Sequence, residues 1–240
     1  MPNTNAPQPL STLAIDVGGS GLKAAVLDPS GVMASERVRV ATPTGAAPEA
    51  IVALLAELVR DLPAFDRVGV GFPGRVRDGV VRTAPNLGHD GWRGFDLAAA
   101  LQETFGKPVR VANDADVQGL AVIEGRGVEM VVTLGTGFGT GLYEEGRLCP
   151  HLEISHQPFR HGETYDEQLG ARALAAVGKR KWRRRVHRAI DNLRDLVGFD
   201  RLYVGGGNAK RLGDDLPDDV TVVDNRAGLL GAVRLFDAGR

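Results

Sequence analysis

Apolar residues in the first half of the chain fall into runs of strand length that alternate with stretches of helical spacing. Residues 12–40 hold three short apolar runs divided by turn residues, which predicts strand, turn, strand, turn and strand. Apolar residues then recur at helical spacing over residues 48–62, between two prolines, and predict a helix. The elements predicted next alternate between strand and helix: 68–72, 96–105, 109–112 and 114–123.

The pattern then begins again, with strands followed by helices. The elements predicted in this half are strands at 128–134, 141–144 and 147–148, helices at about 164–177 and 180–197, strands at 201–204 and 220–223, and a helix at 226–237. Such a repeat indicates an internally duplicated α/β unit. We expect a tail at 1–11, an N-terminal lobe at 12–112, a C-terminal lobe at 113–240 and a cleft between the lobes. The last helix belongs either to the second lobe or to a layer packed back on the first.

A glycine-rich turn follows the first strand of each half. The first hairpin reads Asp16-Val-Gly-Gly-Ser-Gly-Leu-Lys23, and the second reads Leu134-Gly-Thr-Gly-Phe-Gly139. Glycine permits positive φ and lets backbone N–H groups come close to an anion. Two such turns predict a clamp for a phosphate chain, with a plain glycine-rich hairpin as the alternative. The residues assigned to phosphate are Gly18, Gly19, Ser20, Lys23, Gly135, Thr136 and Gly137.

Two aspartates at the carboxyl ends of predicted strands are candidates for chemistry. Asp16, near the end of the first strand, is a candidate ligand for Mg²⁺, which would shield phosphate charge. Asp114 follows the strand at 109–112, where a carboxylate can take a proton from a substrate hydroxyl. Asn113 beside it can hydrogen-bond to a polyol. On local sequence alone, Asn113-Asp114 is more typical of a helix N-cap.

Three further segments are candidates for ligand contacts. Residues 69–74 match the letters G-x-G-x-x-G, but Pro73 and a strand-like continuation argue against a dinucleotide fingerprint and leave a substrate-lining loop or a structural turn. The loop Glu153-Ile-Ser-His156 suits sugar hydroxyls, a metal ion only weakly, or solvent. Gly205-Gly-Gly207 follows a strand and either allows close approach of a ligand or forms a crossover loop.

Residues 179–188 carry seven Lys or Arg residues in ten. Trp182, Val186 and Ile190 keep helical spacing, so the arginines fall on the outer face of the predicted helix. A solvated helix face is the usual explanation of such a run, and a track for a polyanion is the alternative.

Composition and charge argue against several classes of protein. The formal net charge of −1 argues against a dedicated nucleic-acid binder. Cys149 is the only cysteine, so we expect neither an internal disulfide nor a cysteine-rich zinc site, and a reduced cytoplasmic setting fits. Residues 1–10 lack the features of a signal peptide, and no apolar run is long enough to span a bilayer, so we expect no membrane association.

Taken in order, these motifs resemble those of the ROK family of sugar kinases over nearly all of residues 12–236. The shared pattern comprises the phosphate hairpin at 16–23, Gly-Phe-Pro-Gly at 71–74, Asn86, Asn-Asp at 113–114, Leu-Gly-Thr-Gly-x-Gly at 134–139, Glu-x-x-His at 153–156 and Gly-Gly-Gly at 205–207. The resemblance implies the α/β, ribonuclease H-like, duplicated two-lobe fold of actin-like ATPases and hexokinases. Within the family, the chain is most similar to members that phosphorylate glucose with polyphosphate. Ser155 stands where the family pattern has glycine.

The resemblance also implies an activity and a site. A phosphoryl group would pass from polyphosphate, ATP or both to the 6-hydroxyl of glucose, with Asp114 as the base, Mg²⁺ at Asp16, no structural zinc and a homodimeric assembly. The residues implied for the sugar are Gly74, Asn86, Asn113, Asp114, Glu153 and His156. The residues implied for the donor, besides the two hairpins, are Gly206 and Gly207. Either Glu163 or Glu167 is a further candidate for the sugar.

Two other functions stay open from the sequence. One is an ATP-dependent kinase for mannose, fructose or an amino sugar. The other is a sugar or nucleotide sensor without turnover, against which the presence of both Asp16 and Asp114 argues. Family repressors carry an additional N-terminal DNA-binding domain, so that role and a nucleic-acid partner are not expected here.

Overall fold

The computed structural model describes residues 10–213, 215–224 and 229–237. The chain divides into two compact units. The first unit comprises residues up to Asp114 together with Leu229–Asp237, and the second unit runs from Ala115 to residue 228. Most of the tail predicted at 1–11 lies outside the described residues.

The first unit is built on a sheet of five strands. The strands of this unit are β1 (Thr12–Gly18), β2 (Gly21–Leu27), β3 (Val38–Val40), β4 (Arg67–Phe72), β5 (Val76–Arg77), β6 (Val80–Val81) and β7 (Val109–Asn113). The sheet order is β3-β2-β1-β4-β7, and β5 and β6 form a separate two-stranded sheet. β1, β2 and β3 form an antiparallel meander, while β1, β4 and β7 run parallel. The carboxyl ends of three strands therefore meet at one edge of the sheet.

The helices that follow in this part of the chain are α1 (Pro48–Leu58), α2 (Leu97–Phe105) and α3 (Asp114–Leu120). α2 begins and ends as the sequence predicts, because the Asp96 side chain accepts a hydrogen bond from the Ala99 amide at 2.9 Å and Gly106 takes a left-handed φ of 63°. α1 is shorter than predicted and ends at Leu58. Val59 takes a non-helical φ of −100° and ψ of 2°, and the chain continues through turns to Pro63.

The second unit repeats this arrangement. Its strands are β8 (Val128–Leu134), β9 (Phe138–Glu144), β10 (Arg147–Leu148), β11 (Pro158–Arg160), β12 (Glu163–Thr164), β13 (Arg201–Gly205) and β14 (Val220–Val222). The main sheet has the order β10-β9-β8-β13-β14, with an antiparallel meander on one side and parallel strands on the other. The duplication read from the apolar pattern is therefore confirmed. The small hairpin β5–β6 lies in the strand-like segment predicted after Pro73. The hairpin β11–β12 was not predicted, because such short strands hold too few positions for an apolar alternation.

The helices of the second unit are α4 (Tyr165–Leu169) and α5 (Ala171–Val197). The single helix predicted over 164–177 is wrong, because Gly170 takes an extended conformation that separates α4 from α5. The predicted break before residue 180 is confirmed, since Gly178 interrupts α5 with a φ of 74°.

Each unit has its own apolar core. Trp92 packs beside Phe72 in the first core, with ring centroids 5.1 Å apart. Trp182 is buried in the second core and donates its indole N–H to the Leu169 carbonyl at 2.8 Å. No helix in the described ranges is both long and apolar enough to cross a bilayer.

A short final helix, α6 (Leu230–Arg234), belongs to the first unit and packs on β1 and β4. A Cβ at Gly69 would lie 2.4 Å from the carbonyl oxygen of Ala232, so this approach of α6 to β4 requires glycine. Residues 225–228, where the predicted helix 226–237 begins, lie outside the described residues.

Candidate functional site

The turn between β1 and β2 is the first predicted phosphate-binding segment. Gly18 and Gly21 pair across the hairpin, which leaves Gly19 and Ser20 exposed at its tip. A Cβ at Gly19 would lie 2.9 Å from the carbonyl oxygen of Asn86 and 3.2 Å from its Cβ. The fold thus places Asn86, an exposed residue predicted to contact the sugar, against the predicted phosphate turn. A side chain at position 19 would push the two segments apart.

Asp16 and Lys23 face each other across the same hairpin. They are cross-strand partners, and the Lys23 ammonium lies 2.7 Å from the Asp16 carboxylate, with about a third of each side chain exposed. The pair therefore holds a cation and an anion at the mouth of the turn. A phosphate would meet the lysine directly and the aspartate only through a cation.

The other candidates of the first unit lie at the carboxyl ends of the parallel strands. In register across the sheet, Asp16 of β1 is beside Gly71 of β4, and Gly71 is beside Ala112 of β7. Asn113 ends β7, and the half-buried Asp114 is the first residue of α3. Ligands of open α/β sheets bind at this edge, where the strand ends release the chain into loops.

The Gly71-Phe-Pro-Gly74 segment is fixed against the end of β7. The buried Asn113 side chain donates its amide to the Gly74 carbonyl at 3.1 Å. A Cβ at Gly74 would lie 1.9 Å from the Thr83 carbonyl oxygen, so no other residue fits this turn. The structure thus brings Gly74, Asn113 and Asp114 together, as predicted for a sugar site, and leaves their roles as predictions.

The second hairpin turn, between β8 and β9, is enclosed by segments distant in sequence. Asp166 of α4 accepts a hydrogen bond from the Phe138 amide at 2.7 Å, and the Asn208 side chain donates to the Gly135 carbonyl at 3.1 Å. Thr136 is exposed at the tip. Sequence reasoning missed Asp166, because nothing near residue 138 indicates a partner in α4.

The glycine loop after β13 packs against this second turn. Gly206 has a φ of 94°, and a Cβ there would lie 2.3 Å from the Leu134 carbonyl oxygen. A Cβ at Gly207, by contrast, would have open space around it. The fold therefore packs Gly206 against Leu134, the residue before the second turn, and Asn208 bonds to Gly135 within that turn. A single donor-binding surface made of these two segments stays a prediction.

A buried charge network in the second unit was not predicted. His151 Nδ1 lies 2.9 Å from Asp116 Oδ2, and His151 Nε2 lies 3.5 Å from Glu153 Oε2. The Asp116 side chain is 2% exposed, and its backbone carbonyl accepts the Tyr143 hydroxyl at 2.6 Å. Asp116 and His151 are 35 residues apart, so only the tertiary fold brings them together.

This network determines the charge of Glu153. The neighbouring His151 imidazole and the Ser155 hydroxyl, which donates to the same carboxylate, together lower the pKa of Glu153 to about 2. Burial by itself would lower the pKa of His151, but the hydrogen bond to Asp116 and the nearby Glu153 carboxylate outweigh burial and raise it to about 9. At neutral pH the result is an imidazolium held against an ionised Glu153.

The remaining sugar candidates are more exposed. His156 is exposed and, within the described ranges, makes no hydrogen bond. It acts on Glu153 only by lowering the pKa of that carboxyl through its charge. The Glu167 carboxylate accepts hydrogen bonds from the amide and hydroxyl of Thr164 and so caps α4. Glu163 is exposed on β12.

We expect the contribution of His151 to stability to depend on pH. Because its pKa is raised in the folded state, protonation of His151 stabilises the fold fully below its ordinary value of 6.5, and this stabilisation is lost as pH rises through about 9. The difference in urea midpoint between wild type and His151→Gln should therefore narrow from pH 6 to pH 10. A difference that stays constant over that range would contradict the network.

Among the described residues, no group of three His, Cys, Asp or Glu side chains is arranged to hold a metal ion. Asp16 still fits Mg²⁺ of the kind used in phosphoryl transfer, because such an ion is held by one or two carboxylates, by water and by the phosphates of the donor. Its carboxylate, which is about a third exposed and lies near the end of β1 beside the phosphate turn, meets that requirement.

A family model described as the ROK family matches residues 12–151. The chain belongs to the ROK family. Polyphosphate glucokinase from Mycobacterium tuberculosis (strain CDC 1551 / Oshkosh) is 31% identical over 239 residues, which cover 91% of this chain and 88% of that protein.

Solved structures of sugar kinases share the fold of this chain. The crystal structure of an inorganic polyphosphate/ATP-glucomannokinase from Arthrobacter sp. strain KM superposes with a TM-score of 0.81 and 31% identity, covering 95% of this chain and 98% of that one. The ROK glucokinase of Streptomyces griseus, solved with glucose and AMPPNP, has a TM-score of 0.74 at 22% identity, covering 95% of this chain and all of that one, and supports the fold alone. The predicted actin-like hexokinase fold is therefore confirmed.

Proposed function

We propose that this ROK protein is a glucokinase that transfers the terminal phosphoryl group of polyphosphate or ATP to the 6-hydroxyl of glucose. The observation that carries the proposal is the strand-end arrangement of the first unit. A carboxylate, Asp114, follows β7, and a second, Asp16, stands beside the phosphate turn on β1. Both groups that a kinase needs, a base and a ligand for a phosphate-bound cation, are present in a chain similar to polyphosphate glucokinase.

Asp114 is assigned the role of general base. Its carboxylate would accept the proton of the sugar hydroxyl as that oxygen attacks the terminal phosphorus. Phosphoryl transfer demands little covalent chemistry from the protein, so positioning and charge neutralisation supply most of the rate. Asn113, held by its bond to the Gly74 carbonyl, would orient the sugar for that attack.

The two glycine turns are assigned to the donor. Backbone amides at Gly18, Gly19 and Ser20 and the Lys23 ammonium would bind the phosphates nearest the reaction. The amides of Gly135, Thr136 and Gly137, with Gly206 and Gly207 beside them, would hold the rest of the donor. Asp16 would hold Mg²⁺, which supplies neutralisation of phosphate charge when bound.

Glu153 is assigned to the sugar hydroxyls, together with Asn86 and His156. An ionised carboxylate accepts hydrogen bonds from two hydroxyls at once, and the imidazolium of His151 keeps Glu153 in that state. Because His151 is buried between two carboxylates, its role is to position Glu153. The assignment includes a homodimer in the reduced cytoplasm, as inferred from the family and the lone Cys149.

Mannose is a second acceptor that a specific observation favours. The structure with a TM-score of 0.81 is that of a glucomannokinase. Glucose and mannose differ only in the configuration of the 2-hydroxyl. A site that hydrogen-bonds to the remaining hydroxyls would therefore accept both.

A panel of sugars against two donors tests the proposal. Glucose, mannose, fructose and N-acetylmannosamine are each assayed with ATP and with long-chain polyphosphate by the consumption of donor. We expect the highest kcat/KM for glucose, with mannose next. A preference for an amino sugar with ATP alone would favour the alternative of an ATP-dependent kinase for another hexose. No turnover with any combination of sugar and donor would favour a sensor.

A further inference from the structure

A strongly basic groove lies on the surface of the second unit. Its residues follow the predicted sugar-binding residues in the sequence. It has a volume of about 450 Å³ and opens between α5 and the segment after β13. The residues that line it are Arg180, Arg183, Arg184, His187, Arg188, Asp191, Leu212 and Asp215. Four arginines and a histidine of α5 therefore share one depression with two aspartates, of which Asp191 is also on α5.

The arginines share one face of α5. Arg180, Arg184 and Arg188 are each separated by four residues and are exposed, while Trp182 and Val186 between them are buried in the core. The helix is thus anchored by its apolar face, and its opposite face presents a row of guanidinium groups. Gly178 interrupts α5 just before this row, so the helical segment that carries it begins near its first arginine.

These guanidinium groups contrast with those of Arg194 on the same helix. Arg194 lies 2.9 Å from the Asp219 carboxylate and 3.3 Å from that of Asp191. Within the part of the chain that the structure describes, Arg180, Arg184 and Arg188 form no ion pair. These arginines recur every four residues and form no ion pair with a carboxylate of the described residues. Such a row of positive charges attracts an external polyanion.

Arg183 links the groove to the loop beside the second phosphate turn. Its Nε donates to the Arg211 carbonyl at 2.7 Å, and a Cβ at Gly213 would lie 2.1 Å from its guanidinium. At the other end of this loop, Asn208 bonds to Gly135 at the turn. The loop 206–213 thus contacts the phosphate turn at one end and the groove at the other, with Lys210 and Arg211 exposed between them.

We infer that this groove binds the distal part of an inorganic polyphosphate chain whose reacting end lies at the glycine turns. The inference rests on the proposed function, because it extends the donor site of the same reaction. Guanidinium groups bind phosphate oxygens in bidentate fashion, and a polyphosphate offers such oxygens along its whole length. ATP carries adenosine where the chain would continue, so it lacks the anionic extension that the groove would hold.

The sequence pattern places all the arginines of residues 179–188 on the outer face of the helix, but the structure distinguishes Arg185 from the others. Arg185 belongs to the same basic run, but its guanidinium lies 3.4 Å from the Gln168 carbonyl and does not line the groove. The residues to change are therefore Arg184 and Arg188. Lys179 and Lys181 provide a matched control, because they are exposed on the same helix, carry the same charge and lie outside the groove lining.

The test compares R184Q/R188Q with K179Q/K181Q. KM and kcat are measured with glucose and three donors: long-chain polyphosphate, tripolyphosphate and ATP. We expect R184Q/R188Q to raise the KM for long-chain polyphosphate about tenfold, as loss of two exposed charge contacts predicts. We expect kcat and the KM for tripolyphosphate and ATP to stay within about twofold in both double variants. The KM for long-chain polyphosphate should also depend less on salt concentration in R184Q/R188Q than in wild type or K179Q/K181Q.

Equal increases in both double variants would overturn the inference, since they would show a diffuse field rather than a site. An increase in the KM for ATP as large as that for long-chain polyphosphate in R184Q/R188Q would overturn the inference as well. A third arm measures binding of fluorescently labelled long-chain polyphosphate and of a single-stranded DNA oligonucleotide without glucose. Loss of oligonucleotide binding in R184Q/R188Q, with polyphosphate binding unchanged, would assign the groove to nucleic acid instead.

The binding arm separates the two proposals. If the wild-type protein makes no glucose 6-phosphate with any donor, the proposed function fails. Weaker binding of labelled polyphosphate to R184Q/R188Q than to K179Q/K181Q would still support the groove in that case, and equal binding would still overturn it.

Discussion

Replacing Asp114 with asparagine is expected to lower kcat about a thousandfold while leaving glucose affinity nearly unchanged. A general base contributes on the order of 10²- to 10⁴-fold, and an amide of the same shape cannot accept the hydroxyl proton. Hydrogen bonds from sugar hydroxyls to the side-chain oxygen would persist, so ground-state binding is retained. The measurements are kcat from a coupled assay and glucose affinity from calorimetry on the same preparation.

The control for Asp114→Asn is Asp195→Asn, which makes the same chemical change at an exposed position of α5. We expect this control to keep wild-type kcat and KM. Retention of kcat within tenfold in Asp114→Asn would contradict the base assignment. A parallel loss of glucose binding would instead identify Asp114 as a residue that mainly holds the sugar.

Replacing Gly206 with alanine is expected to disrupt the donor surface of the second unit. The backbone at Gly206 has a φ of 94°, and a Cβ there would lie 2.3 Å from the carbonyl oxygen of Leu134 and 2.5 Å from its amide nitrogen. Strain from positive φ and a clash with a buried strand together cost about 3 kcal/mol. Since Leu134 leads directly into the second phosphate turn, the KM for both donors should rise, by about tenfold or more.

Gly207→Ala is the matched control, because a Cβ at the neighbouring glycine meets no atom within 4 Å and needs no positive φ. We expect its urea midpoint to stay close to that of wild type, and we expect it to raise the KM for both donors less than Gly206→Ala does. Equal behaviour of the two alanine variants would show that the packing of the glycine loop against β8 does not shape the donor site. Thermal unfolding with and without ATP separates a general loss of stability from a loss of donor binding.

The fold was predictable wherever its determinants are local. Glycine turns between apolar runs, the Asp96 cap and the Gly106 stop are encoded within a few residues, and the structure has each of them. The break at Gly170 was missed because an extended glycine leaves no mark in a helical apolar pattern. Repetition of the strand order in the second half is what made the duplicated architecture recognisable.

The candidate site was predictable only in part. Asp16 lies near the end of β1, Asn113 ends β7 and Asp114 follows it, so their position at a sheet edge follows from topology. The pairing of His151 with Asp116 depends on long-range packing, and the family pattern instead drew attention to His156, which is exposed. Similarly, helical spacing placed the arginines of α5 outward but could not separate Arg184, in the groove, from Arg185, outside it.

The most direct measurement is the formation of glucose 6-phosphate by the purified wild-type protein from glucose and Mg²⁺ with either long-chain polyphosphate or ATP. Glucose 6-phosphate dehydrogenase reports the product continuously, and phosphorus NMR identifies the phosphorylated position. We predict glucose 6-phosphate with at least one of these donors and almost none with Asp114→Asn. No glucose 6-phosphate with either donor, or phosphate at another hydroxyl, would contradict the assignment of this ROK protein as a glucokinase.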